Sequence, residues 1–506
     1  MHKVLIANRG EIAVRIARAC REVGLTAAAV FSEADRDALH VRVADEAVFL
    51  GPDAPEASYL DIGRVLEAAR QCGADAVHPG YGFLAESPQF ASAVHDAGLV
   101  FIGPPAEAIG RLGNKGEARR LAAQAGVPVI PGYADPGADD AALVAAAQRL
   151  GFPLLVKAAA GGGGRGMRRV DREDDLAAAL AAARREAQAA FGSGELLLET
   201  PLPDVRHIEV QVLADGRGTV LTLGERECSI QRRHQKIIEE SPSPFVIPQL
   251  RTRLSQAAEA VARVGGYVNA GTVEFLVDPE GRFYFLEVNT RLQVEHPITE
   301  AVTGVDLVKA QLHIASGEPL RLGPVEMRGH ALECRIYAED PARDFSPSPG
   351  PVWMLDEPRG PGVRIDSGLR PGWRVPVAYD PLLAKVIAWD QTRGEAIARM
   401  DEALSRYILL GCRTNLAFLQ DVIRHEAFRR GETATRFLER HFPGWRPRDA
   451  DLAIAVAAAA EVLRQERACS THPTSGAGAG PGANGTGAAP DPWDTIGRWR
   501  MGMRDA

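Results

Sequence analysis

From Val4 to Ile102, short apolar runs alternate with stretches of helical period. Val4-Leu5-Ile6-Ala7 reads as a buried strand, Asn8-Arg9-Gly10 as a loop, and Glu11 to Val23 as a helix with apolar residues at Ile12, Ile16 and Ala19. Further strands are predicted at Thr26 to Phe31, Ala76 to His78 and Val100 to Ile102. Strands and helices in this alternation make an open parallel sheet. No G-x-G-x-x-G fingerprint occurs within this alternating stretch, which argues against a nicotinamide cofactor. His78-Pro79-Gly80-Tyr81-Gly82 follows a strand end, where such sheets place ligands, although a plain turn accounts for it nearly as well.

The pattern then changes. Asn114 to Ala125 reads as a helix with Lys115 in its first turn, and residues from about 128 to 201 read as a small α+β insertion. Within it, a strand ending in Lys157 runs into Gly161-Gly162-Gly163-Gly164-Arg165-Gly166-Met167. Consecutive glycines let backbone N–H groups approach phosphate oxygens, so the run reads as a mobile phosphate lid; a flexible hairpin tip is the alternative. It is not a Walker-type loop. Leu196 to Glu199 is a short strand whose end could meet an adenine, and strands follow at His207 to Leu213 and Thr219 to Glu225. Cys228 to Lys236 is expected to be an anion-facing loop, and Gln249 to Val264 a helix.

Val273 to Pro297 is the stretch around which the rest is organised. Two runs of period two flank Asp278-Pro279-Glu280-Gly281, a turn signal. A two-residue loop would pair Asp278 with Gly281 and Glu274 with Phe285, leaving Glu287 diagonal to Glu274 and Asn289 on the same face. Carboxylates so close repel unless a hard cation such as Mg²⁺ intervenes. Arg291, Gln293, Glu295 and His296 follow, placing an anion-binding arginine and a potential base beside the metal. A water-facing hairpin is the bland alternative. Beyond it, Gly304 to Ser316 is predicted helical, and Arg335 lies on an otherwise apolar strand, His330 to Ile336, where a structural salt bridge would serve as well. Short strands rich in Pro and Gly fill residues 345 to 390, and helices return at Gly394 to Tyr407 and Thr414 to Arg424.

Composition narrows the picture. The 506 residues exceed one simple core, and 46% hydrophobic with 25% charged content is ordinary for a soluble globular protein. A net charge of −8 argues against nucleic-acid binding, and no run suits a signal peptide or a membrane span. Six scattered cysteines without C-x-x-C suggest a reducing cytoplasm and no structural zinc.

IANRGEIA, HPGYGFLAE, GGGGRGM, ERECSIQRRHQKIIEE and EVNTRLQVEHPITE, in this order over about residues 1 to 444, resemble biotin carboxylase of the ATP-grasp family. The resemblance implies an α/β and α+β multidomain fold: a Rossmann-like pre-ATP-grasp domain (1–112), an ATP-grasp domain (113–316) with a glycine-rich lid (about 128–201), and a β-rich C-terminal domain (328–444). A helical extension (445–469), a linker (470–490) and a further segment (491–506) would follow. It implies ATP- and bicarbonate-dependent carboxylation of biotin on a carrier, with Mg²⁺ (or Mn²⁺) as metal. By motif, Lys115 and Lys157 would contact ATP phosphates with Gly163 and Gly164 closing over them. Glu199 and Leu202 would border adenine, and His207, Gln231 and His234 would line the nucleotide site. Glu274, Glu287 and Asn289 would serve the metals; Lys236, Arg291, Gln293 and Val294 would hold bicarbonate. Glu295 would be the base, and Arg335 would stabilise the biotin enolate. The implied partners are a biotin carboxyl carrier, a carboxyltransferase subunit and a second copy of the chain.

Two features depart from the family pattern. Ala158-Ala159-Ala160 precedes the glycines where a serine and a further glycine are usual, which is expected to alter the lid and raise the ATP requirement. DPWDTIGRWRMG resembles the segment that follows the biotin carboxylase part in acyl-CoA carboxylase α subunits, notably the 3-methylcrotonyl-CoA type, yet there is no Met-Lys-Met biotinylation motif. A separate carrier or a truncated α subunit is therefore expected. Another ATP-grasp ligase and an inactive assembly subunit are the competing readings.

Overall fold

The computed structural model describes residues 1–135, 137–159, 167–323 and 325–447, with isolated residues at 457, 460 and 461. The expectations for Gly163, Gly164, Ala160, the linker and the last segment lie outside the described residues, as does nearly all of the helical extension.

The first hundred residues form the parallel sheet expected of them: β1 (Lys3–Ile6), β2 (Thr26–Ser32), β3 (Glu46–Gly51), β4 (Ala76–His78) and β5 (Val100–Phe101), in the order β3-β2-β1-β4-β5. Val4, Leu5 and Ile6 are fully buried, because both faces of the sheet are covered. Helix Gly10–Glu22 follows β1 and buries Ile12, Ile16 and Ala19. β3 was not singled out by the sequence, since exposed Glu46 and half-exposed Phe49 blur its apolar run.

A four-stranded sheet comes next: β6 (Gly132–Tyr133), β7 (Leu154–Ala158), β8 (Arg168–Val170) and β9 (Leu196–Glu199), in the order β6-β9-β7-β8. Helices Asp140–Leu150 and Leu176–Phe191 pack on it through Leu143, Ala147, Leu180 and Ala183.

The centre is an eight-stranded antiparallel sheet. It holds β10 (Arg206–Ala214), β11 (Val220–Arg232), β12 (Gln235–Ser241), β13 (Asn269–Val277), β14 (Phe283–Asn289), β15 (His330–Tyr337) and the strands Leu382–Asp390 and Val363–Ser367. Their order is β14-β13-β10-β11-β12-β15, then 382–390, then 363–367. This sheet joins the hairpin that carries the carboxylates to the strand that carries Arg335. Mixed α/β architecture, with a parallel N-terminal sheet and an antiparallel central sheet, is the expected fold class.

Three local expectations are corrected. The β13–β14 loop is longer than two residues: Val277 pairs with Phe283, and a bulge after Glu274 sets Glu287 directly opposite it rather than diagonal. Asp278 causes the longer turn, since its Oδ1 accepts from the backbone N–H groups of Glu280 (3.1 Å) and Arg282 (2.8 Å). Residues 228–232 do not form a loop. They extend β11, whose backbone is paired with β12, and only Arg233-His234 turn. The helix expected from Gly304 starts at Leu307, because Gly304 (φ +73°) ends the preceding helix His296–Thr303 and Asp306 caps the next one by accepting from Lys309 N–H at 2.8 Å.

Candidate active site

One cavity of about 1560 Å³ opens onto the β10–β14 face, the four-stranded sheet and the loop after β4. Two lysines enter it, one from a helix and one from a strand. Asn114 accepts from Glu117 N–H at 2.9 Å, which starts helix Lys115–Gln124 at Lys115. The Lys115 amine reaches the Glu287 carboxylate. Burial pushes the Lys115 ammonium down to about 8, and nearby Lys157 pushes in the same direction. Lys157, near the end of β7, meets Glu199 on β9. Two ammonium groups close enough to act on each other suit a polyphosphate.

The carboxylate hairpin faces those lysines. Glu274 and Glu287 are directly opposed, and Asn289 Nδ2 donates to Glu274 Oε1 at 2.7 Å. Glu274 also meets His207 Nε2 (2.7 Å) and Lys236 Nζ (2.8 Å). Burial alone would push the Glu274 carboxyl up, but Lys236 and His207 outweigh it and hold the group well below the usual range. Glu274 therefore stays ionised, and the oxygens of Glu274 and Glu287 with the Asn289 amide make the hard donor set that Mg²⁺ prefers.

The deeper end gathers the anion-binding groups. Lys236 Nζ donates to Glu209 (2.5 Å), Glu274 and Glu295 (2.7 Å) at once. Behind Glu209, fully buried Arg226 reaches it at 2.5 Å and bonds Gln211 and Thr299. Glu295 is fully buried and is gripped from two sides, by Lys236 and by Arg335 Nη2 at 2.9 Å. Burial would raise its carboxyl; Lys236, Arg335 and Arg226 together hold it well below the usual range. Arg291 Nε lies 3.1 Å from Glu86, and its Nη1 donates to Gln293 Oε1 at 3.0 Å.

The remaining candidates line the same cavity. Leu202 follows the β9 end. Gln231 Nε2 lies 2.7 Å from His207 Nδ1, and His234 occupies the β11–β12 turn. Val294 lines the wall, and its carbonyl accepts from Lys385 Nζ at 2.9 Å. Among the described candidates Glu295 alone does not line the cavity, being enclosed by its two cations. His296 next to it is also fully buried, with Nδ1 2.8 Å from the Gln293 carbonyl. The HPGYG loop is more than a turn. Asn8 Nδ2 donates to the carbonyls of Pro79 (2.6 Å) and Tyr81 (2.7 Å), and Tyr81, Gly82 and Phe83 line the cavity.

Sequence reasoning missed Glu86, Glu209, Arg226 and Lys385. Glu209 carries a weak signal, lying two residues from His207 and so on the same strand face. Glu86 carries none, being 205 positions from Arg291. The rim formed by Phe442, Trp445 and Arg446 was also missed; Trp445 is anchored by its Nε1 donating to Asp421 at 2.8 Å.

Comparison with known proteins gives three family matches in chain order. These are "Biotin carboxylase, N-terminal domain" over residues 1–109, "Carbamoyl-phosphate synthase L chain, ATP binding domain" over 114–322, and "Biotin carboxylase C-terminal domain" over 333–440. Biotin carboxylase 1 of Bacillus subtilis is 49% identical over 440 residues, covering 86% of this chain and 98% of that protein. The mitochondrial methylcrotonoyl-CoA carboxylase subunit alpha of Arabidopsis thaliana is 48% identical over 448 residues, covering 87% of this chain and 61% of that one. Among solved structures, the biotin carboxylase domain dimer of Hydrogenobacter thermophilus 2-oxoglutarate carboxylase, in complex with MgADP, ADP and bicarbonate, superposes with a TM-score of 0.86 at 42% identity. It covers 88% of this chain and 99% of that one.

Proposed function

The chain belongs to the biotin carboxylase family of ATP-dependent ligases, and from that premise we propose that it carboxylates biotin held on a carrier, using ATP and bicarbonate through carboxyphosphate. The observation that carries the reading is Glu295, a buried carboxylate held between Lys236 and Arg335, two cations that line a cavity whose other wall presents Lys115, Lys157 and the carboxylate hairpin.

Each residue has a role in this scheme. Lys115 and Lys157 neutralise the ATP phosphates, and Glu199 and Leu202 border the adenine with His207, Gln231 and His234. Glu274, Glu287 and Asn289 would hold Mg²⁺, which when bound neutralises phosphate charge. Lys236, Arg291, Gln293 and Val294 seat bicarbonate. Glu295 takes its proton, and a bicarbonate oxygen displaces ADP from the γ-phosphorus. Carboxyphosphate then breaks down to CO₂ and phosphate. Phosphate accepts the N1 proton of biotin, Arg335 stabilises the enolate oxygen, and N1 bonds to CO₂.

The resting geometry makes Glu295 a weak base, since both cations hold its charge. Bicarbonate draws on Lys236 and biotin on Arg335, so basicity rises only when both substrates are seated. We place the chain in a carboxylase complex with a carrier and a carboxyltransferase, as the first half-reaction of an acyl-CoA carboxylase, and take the domain limits to be 1–112, 113–316 and 328–444. The test is ADP release with Mg²⁺, bicarbonate and free biotin. Arg335→Ala and Glu295→Ala are each expected to abolish the biotin-dependent part while nucleotide still binds. Absence of biotin dependence in the unaltered chain would sink the reading in favour of another ligase or an inactive subunit.

A further inference from the structure

Beneath Arg335 the central sheet carries a row of buried charges. Glu239 on β12 faces Glu333 on β15; Arg335 on β15 faces Lys385; and Lys385 faces Asp366. Opposed residues, and residues two apart on one strand, share a sheet face. All five are buried, Glu239, Glu333 and Lys385 completely. The Arg335 guanidinium bridges two carboxylates of this region. Its Nε lies 2.6 Å from Glu239 Oε1, an off-axis ion pair rather than a linear hydrogen bond, while its Nη2 donates to Glu295 Oε2 at 2.9 Å. Neither oxygen of Glu333 has a hydrogen-bond partner.

We infer that Glu239 is a positioning residue for biotin carboxylation: it shares Arg335 with Glu295, and Glu333 opposite it is held as the neutral acid so that this sharing persists. The inference rests on the reaction proposed above.

Two carboxylates face to face in a dry site do not both ionise. Glu239 has a cation in contact; Glu333 has none bonded to it. The proton therefore belongs on Glu333. Electrostatics agree in direction: burial raises both groups, Glu239 to about 7 against the pull of Arg335, and Glu333 well above its ordinary range despite Lys385. The other charged groups facing the pair are Glu295, Lys236 on β12 and Glu209 on β10, with Tyr337 beside Arg335. Without an anion at Glu239, Arg335 would rest wholly on Glu295. Biotin would then have to draw the guanidinium from an undivided ion pair, and such a buried pair is costly to break.

The decisive variants are Glu239→Gln and Glu333→Gln, read by ADP release with bicarbonate and varied biotin or ATP, and by thermal unfolding with and without nucleotide. For Glu239→Gln, KM for biotin is expected to rise ~10-fold or more while KM for ATP stays within ~2-fold, a split that a merely structural defect would not produce. Glu333→Gln replaces a neutral acid by a neutral amide. Its biotin KM at neutral pH is expected to stay within ~3-fold, with the acid limb of the biotin-dependent rate unmoved, because Glu239 already ionises beside a neutral group. Equal losses toward biotin and ATP in Glu239→Gln, or no change in either, would overturn the inference. So would a Glu333→Gln defect as large as that of Glu239→Gln, since Glu333 would then be acting as an anion. If the unaltered chain shows no biotin-dependent turnover, the proposed reaction itself fails; if it does and Glu239→Gln matches it, only the role of Glu239 fails.

Discussion

At the scale of single residues, the molecule holds several ionisable groups in the form that burial favours. His40 is an example away from the active site. It is 1% exposed, with Nε2 3.2 Å from the Val30 carbonyl and no bonded partner at Nδ1. Burial pushes its imidazolium down to about 4, against the pull of Asp35 and with the help of Arg9. The folded state therefore keeps His40 neutral where the unfolded chain would take up a proton. Stability from this group is fully present above about pH 6.5 and is lost as pH falls toward 4, by up to about 3 kcal/mol at roughly 1.4 kcal/mol per unit. Urea midpoints at pH 7.5 and pH 5 should show the loss, and His40→Gln should remove part of the slope. An unchanged slope in the variant would assign the acid sensitivity to other groups, such as His78, which burial pushes down to about 3. At this scale the sequence was readable where a residue's partner lies within one motif: Glu274, Glu287 and Asn289 share one hairpin. It was not readable for Glu239 or Glu86, whose meaning depends on Arg335 and Arg291, far along the chain. Nothing in a local pattern separates such a glutamate from a solvated one.

At the scale of elements, hairpin geometry decides which side chains meet. The period-two pattern of residues 273–289 predicts both strands and their polar face, but not the bulge or the Asp278 turn that bring Glu287 opposite Glu274. Alternation specifies faces, whereas register follows from turn chemistry. The β11–β12 hairpin was harder to read, because its basic residues resemble a loop until one sees both edges paired. Its turn places Arg233 (φ +49°) and His234 (φ +66°) in the left-handed region, as a two-residue hairpin of this hand requires. Side chains other than glycine, asparagine and aspartate pay roughly 1–2 kcal/mol there. Arg233 also makes an ion pair with Asp344 at 2.5 Å, but both side chains are mostly exposed, so that pair offsets less than the strain. Arg233→Gly is therefore expected to raise stability by about 1 kcal/mol in chemical denaturation. A lower midpoint would mean the surface pair outweighs the backbone term.

At the scale of the whole described chain, the site depends on contact between its first loop and the C-terminal strands. Apart from β3, the parallel sheet was readable from the sequence because its strands carry their own apolar runs. The closure was not, since its two sides are more than 350 residues apart. Gly368 follows strand Val363–Ser367 and packs on the start of helix Gly10–Glu22. A Cβ there would lie 2.9 Å from Glu11 N and 3.0 Å from Gly10 Cα, both backbone atoms that cannot turn aside. Next to this contact, Lys385 stands 3.3 Å from Glu11 and donates to the Val294 carbonyl, so the same closure holds the segment that carries Glu295. Gly368→Ala must push the first loop outward, at a cost of about 1–3 kcal/mol. It should also disturb the Glu11–Lys385–Val294 chain, lowering biotin-dependent ADP release in the part of the protein that remains folded. Gly394→Ala is the matched control. Gly394 lies in the first turn of helix Arg393–Arg406, with nothing within 4 Å of an added Cβ, so alanine there should be neutral or stabilising by up to about 1 kcal/mol. Unfolding midpoints and turnover measured on both variants separate the accounts. A loss in Gly368→Ala but not in Gly394→Ala locates the effect at the closure. Equal behaviour of the two would mean that the first loop yields to the added methyl group, and that Glu295 is held by Lys236 and Arg335 without help from the closure.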